Sequence, residues 1–126
     1  MQQTLLDGNP NASVRVYAIW FNMYPGDARN RWRQSLLPDD RVVHFWDDAQ
    51  SIGRLMAGVL PRFATERAPQ SIDVDDDVLW DAYVIYGRDA RWDVDGAPPR
   101  IISWGSTILL TQESFRRALL NALARP

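Results

Sequence analysis

Cysteine and lysine are both absent from this 126-residue chain, and histidine occurs once, at His44. Without cysteine the chain can form no disulfide, thiolate zinc site or sulfur nucleophile, and the redox compartment cannot be read from cysteine usage. All 14 basic residues are arginines. Arginine brings a planar, bidentate guanidinium where lysine brings a point charge, although an arginine-leaning codon bias produces the same composition. The net charge of -2 lacks the basic excess of a protein built around nucleic acid, so no such partner is expected. Long apolar runs are missing too. None approaches the roughly 20 residues of a membrane helix, so no membrane partner is expected. Residues 1–13 show no charged start followed by an apolar block. No signal peptide is therefore expected, and a cytoplasmic location is the default. There is no G-x-S-x-G, P-loop or dinucleotide fingerprint.

What is present suits one globular domain. Hydrophobic residues make up 46% and charged residues 24%, ordinary values for a folded chain. Surface scaling gives about 7,000 Å² folded against about 21,000 Å² unfolded, enough burial for one core without staples. Residues 1–13 read as a frayed tail with a turn at Asp7-Gly8-Asn9-Pro10, and 14–124 as the domain. No internal repeat or low-complexity segment stands out.

The domain is organised around Val14–Asn22, whose alternating faces are both mostly apolar: Val14, Val16, Ala18 and Trp20 on one, Tyr17, Ile19 and Phe21 on the other. A strand apolar on both faces is normally covered on both, as in a parallel or mixed sheet between helices. It runs into Pro25-Gly26-Asp27, a turn that can deliver Asp27 as a helix cap. A helix is predicted over 27–37, with Ala28, Trp32 and Leu36 spaced by four and Pro38 beyond it. Arg41–Asp47 is the second strand, parallel to the first through a right-handed βαβ unit. Asp47 and Gln50 resemble a capping box for a second helix ending near Leu60, before Pro61. Its stripe is Ile52, Leu55, Met56, Val59 and Leu60. Residues 61–77 read as a loop ending in acidic Asp73, Asp75, Asp76 and Asp77. That run could attract a hard cation, but it lacks the glycine and distal glutamate of a calcium loop, so no metal is expected. Val78–Tyr86 and Arg100–Trp104 are predicted as an antiparallel hairpin across a long turn, followed by a last helix capped by Thr111.

The order β-α-β-α-β-β-α resembles the thioredoxin-like fold, with VRVYAIWFN and MYPGDARNRW standing where a thioredoxin has its first core strand, active-site loop and helix. The segments WFNMYPGDAR, HFWDD, WDAYVIYGRDARW and ISWGSTI resemble a group of uncharacterised bacterial proteins of that fold. The resemblance implies a mixed four-stranded sheet, order two-one-three-four, with helices on both faces. It does not carry thiol–disulfide chemistry. Tyr24-Pro25-Gly26-Asp27 replaces the Cys-x-x-Cys pair, and the nearest proline upstream of Leu79 is Pro69 rather than a cis-proline directly before the strand.

In that topology one sheet edge gathers Asn22, Tyr24, Asp27, Arg29, Trp46, Asp47, Asp48, Trp80, Asp81, Ser106 and Thr107. Carboxylates, an arginine and aromatics on one rim have the composition of a small-ligand site. The simpler reading, favoured on the residues alone, makes Asp27 and Asp47 helix caps and the tryptophans core. His44, mid-strand, is either a hydrogen-bonded sheet-face residue or a general base beside Asp47 or Asp48. The function expected is a non-redox binding or interaction module for an unidentified small molecule or protein, with no cofactor. Two alternatives stand beside it: an enzyme using Asp27, Asp47 and Asp81 for acid–base or metal-assisted chemistry, and a homodimer joined through the 88–99 turn and Trp92.

Overall fold

β1 (Val16–Trp20) and β2 (Val42–Trp46) pair in parallel, in register from Val16 opposite Val42 to Trp20 opposite Trp46. The computed structural model that shows this describes residues 5–67, 74–75, 77–93, 99–106 and 111–124. The ladder is extended at both ends, by the Val16 N–H donating to the Arg41 carbonyl at 2.9 Å and the Asp47 N–H to the Trp20 carbonyl at 2.8 Å.

The crossover between these strands differs from the predicted helix. It holds two short 3-10 turns, Arg29–Arg31 and Gln34–Leu36, separated by Trp32 in extended backbone. The would-be first helical turn carries Arg29 and Arg31, with Arg33 just beyond, and cations at a helix start oppose its dipole. Asp27 does not offset them as a forward cap, because its carboxylate turns back to accept the N–H groups of Met23 and Tyr24, both at 2.9 Å.

The frayed tail predicted for 1–13 is corrected from Leu5 onward. Leu5 and Leu6 are buried, and Arg41 clamps the backbone around them. Its guanidinium pairs bidentately with Asp39, Nε to Oδ1 at 2.8 Å and Nη2 to Oδ2 at 2.6 Å. It also donates to the carbonyls of Leu6 at 2.9 Å and Asn9 at 2.8 Å. A planar five-donor fork can satisfy both sets at once.

α1 (Ser51–Arg67) continues through Pro61 instead of ending before it. Proline forfeits one helical hydrogen bond, but its fixed φ is itself helical, so the turns on either side can carry it. The predicted loop 61–77 is therefore helical to Arg67, and it also contributes β3 (Val74–Asp75), which forms a tight antiparallel pair with β4 (Val78–Leu79). Asp77, with φ 63°, turns the chain between them. Asp73 and Asp76 lie outside the described residues.

The predicted strand 78–86 is broken at Asp81, whose φ of 47° is incompatible with a continuous strand. β5 (Ala82–Tyr86) resumes beyond it and pairs antiparallel with β6 (Ile101–Ser106), the hairpin expected from the sequence. The described ladders are three separate pairs, and none joins β1 to β4 or β5.

The β5–β6 hairpin lies between the two helices. Tyr83 and Ile85 face α2 (Gln112–Leu123), packing with Leu5, Phe115, Ile102 and Leu119. Ala82, Val84 and Tyr86 face α1, with Met56, Leu60, Ile101 and Trp104. This is strand alternation with both faces covered. A bulge between Ile85 and Tyr86 leaves Ile102 without a direct partner and sets Ile101 opposite Tyr86, so Ile101 joins the α1 core and Ile102 the α2 core. Gly105, opposite Tyr83, is needed for close approach: an added Cβ would lie 2.8–3.0 Å from the tyrosine ring. That ring also stacks on Phe115 at 4.4 Å.

Candidate functional site

β1 and β2 carry an aromatic face. Parallel register sets Trp20 opposite Trp46, with His44 two residues earlier on the same side. The crossover lays Trp32 over them. Its ring centroid lies 5.5 Å from Trp20 and 5.2 Å from His44. The Trp20 indole N–H donates to His44 Nδ1 at 3.0 Å, and His44 Nε2 lies 3.1 Å from the Leu37 carbonyl. An indole only donates and a carbonyl only accepts. In this geometry His44 Nδ1 accepts and Nε2 faces an acceptor, so the ring ties the crossover to the sheet, as the sheet-face reading expects.

Beside this cluster an open hollow of about 380 Å³ is lined by Trp20, Phe21, Trp32, Trp46, Asp27 and Arg31, together with Pro25, Gly26 and Ala28. The loop after β1 builds its rim. The Asp27 N–H donates to the Tyr24 carbonyl at 3.0 Å, and Gly26, at φ 96°, supplies the left-handed turn that other residues resist. The position a Cβ would take on Gly26 is 3.3 Å from Arg31 Nη1, so the guanidinium lies over that turn. The two backbone N–H groups, first Tyr24 and then Met23, hold the Asp27 carboxyl below its ordinary range, with Arg31 adding to the effect.

Of the residues predicted for the site, Asp27 and Trp46 line the hollow. Tyr24 sits next to it, edge-on to Trp80 at 5.9 Å. Asn22 is exposed and does not line the hollow; its backbone carbonyl accepts a hydrogen bond from the Gln50 side chain at 2.6 Å. The predicted capping box is corrected accordingly: Gln50, at φ 56°, reaches back to the β1 exit. Asp47 alone caps α1, accepting the Ile52 N–H at 2.8 Å. Arg29 does not line the hollow; Arg31, two residues on, does. Asp81 stands at the break before β5, and the Ser106 backbone pairs with Ala82 beside it. Thr107 lies outside the described residues. The three proposed working carboxylates are thus in three settings: a loop closure, a helix cap and a strand break. Among the described residues no three acidic or histidine side chains gather as a metal site.

Sequence reasoning treated Trp20 and Trp32 as core and passed over Arg31. The parallel register was the available signal, since it puts Trp20, His44 and Trp46 on one face. Elsewhere, Trp92 is exposed as expected and meets Tyr86 at 6.4 Å. No described helix is long and apolar enough to cross a membrane. No protein-family model, curated protein or solved structure matches the chain.

Proposed function

We propose that this chain is a non-redox binding module of thioredoxin-like design whose small ligand sits in the hollow at the exit of β1. The fold part of this reading is supported by the parallel β1–β2 pair with its crossover, the β5–β6 hairpin between α1 and α2, and the closing helix. With no cysteine in the chain, the loop Tyr24–Asp27 cannot perform thiol–disulfide exchange itself.

The observation that carries the functional part is the hollow itself. Its volume of about 380 Å³ falls within the usual range for ligand pockets, about 300–1,000 Å³. Its walls are aromatic, and its two charged side chains supply orientation. It stands where α/β proteins tend to bind ligands, beyond the carboxyl ends of parallel strands. Asp27 is its natural probe. Asparagine can still accept both backbone N–H groups through its amide oxygen, so Asp27→Asn keeps the loop closed while removing the charge. A metabolite pull-down with the two proteins is expected to retain different compounds. Identical compounds, or none, would remove the ligand-binding reading.

A further inference from the structure

Resting on the reading of the hollow as a ligand site, we propose that its ligand is a flat aromatic anion, such as an aryl carboxylate. The ring stacks on the indoles and the acid pairs with Arg31.

The polar groups around the hollow are unevenly supplied with partners. Asp27, its carboxylate acceptor, already receives two N–H groups on Oδ2. Arg31 is the opposite case. Among the described residues its guanidinium makes no hydrogen bond and no ion pair, and it stands beside Gly26 at the rim. The Trp32 indole N–H is buried and has no acceptor among the described residues, a rare condition for a polar group in a folded protein. Trp20 is already satisfied by His44. The Arg31 guanidinium is thus the donor that a ligand at the rim can reach, and a ligand complementary to it brings an acceptor.

Charge and shape narrow the class further. Indole faces beside a carboxylate can also hold a cation, but here a cation would face Arg31, and Asp27 is already engaged. An anion meets a guanidinium that makes no hydrogen bond among the described residues, and its fork matches a carboxylate. Three tryptophans and Phe21 along an open hollow favour a flat ring over a bulky aliphatic group. Arg31 is thus the specificity residue and the indoles supply the contact area.

The test compares 2-naphthoate with its uncharged isostere 2-naphthamide by calorimetry. Indole N–H signals in ¹H–¹⁵N spectra are followed in parallel, with Trp32→Phe used to assign the Trp32 peak. The naphthoate is expected to bind about tenfold tighter or more than the amide, the factor carried by one charge-assisted hydrogen bond. It should also move the Trp32 and Trp20 indole signals. Arg31→Gln, a change at an exposed side chain, should abolish the preference of the site for naphthoate over naphthamide. Equal affinities, or a preference surviving Arg31→Gln, would overturn the anion assignment while leaving the hollow a ligand site. Failure of both probes to bind would overturn it as well. The Asp27→Asn pull-down then decides separately whether the hollow binds anything.

Discussion

Gly53 offers a sharp test of how α1 sits on the rest of the molecule. A glycine inside a helix normally costs roughly 0.5–1 kcal/mol relative to alanine, so replacement by alanine ordinarily stabilises. At Gly53 the added Cβ would lie 2.6 Å from Val78 Cγ1, 3.0 Å from the Leu79 carbonyl oxygen and 3.3 Å from Phe21 Cζ. Val78 is 1% exposed and has no space into which to withdraw, valine is stiff at χ1, and the carbonyl is backbone. Overpacking of this kind costs about 1–3 kcal/mol, which exceeds the propensity gain. Gly53→Ala should therefore destabilise by about 0.5–2 kcal/mol and lower Tm by roughly 2–8 °C for a chain of this size. The same helix contains its own control. At Gly58 an added Cβ meets nothing within 4 Å, so Gly58→Ala should raise Tm by roughly 2–4 °C. Thermal unfolding followed by circular dichroism reads both. Combining Gly53→Ala with Val78→Ala should recover part of the loss, because the two changes share one contact. If both glycine variants raise Tm equally, α1 does not pack on β4 through Gly53 and the placement is wrong.

Two further outcomes follow from contacts that join distant parts of the chain. Arg41→Gln keeps the Arg41 backbone carbonyl in its bond to Val16 but loses the fork over Leu6 and Asn9. Amide exchange at Asn9 and Ala12 should rise by roughly tenfold or more, and unchanged exchange would show that the clamp does not hold this segment. Burial raises the Tyr83 hydroxyl above its ordinary value of 10.0, only partly offset by its hydrogen bond with Ser103. A raised tyrosine favours the folded state while neutral, so its contribution is present below pH 10 and is lost as pH rises beyond it. Tyr83→Phe should flatten the alkaline fall in Tm between about pH 9 and 11 relative to the parent protein; an unchanged slope would rule Tyr83 out as the group responsible.

Elements set by local chemistry or short connections were legible in the residues alone. The apolar faces of the first strand, the single short crossover to the second and the direct link between the last two strands led to a parallel pair and an antiparallel hairpin. Periodicity also found both helices. The absence of cysteine settled which chemistry the Tyr24–Asp27 loop cannot do. Tertiary structure decided what periodicity does not encode. The pattern Ala28, Trp32, Leu36 reads as a helix, yet Trp32 gains more from packing on Trp20 and His44 than from helical backbone burdened with three arginines. Pro61 reads as a stop, but the helix on either side outweighs one missing hydrogen bond. Leu5 and Leu6 read as tail until Arg41, more than 30 residues away, ties down their backbone. Asp27 shows the limit most plainly. Its position after Pro25-Gly26 was legible, but whether its carboxylate points forward to a helix or back to Met23 and Tyr24 depends on the backbone that follows. Only that choice leaves Arg31, rather than Arg29, over the hollow.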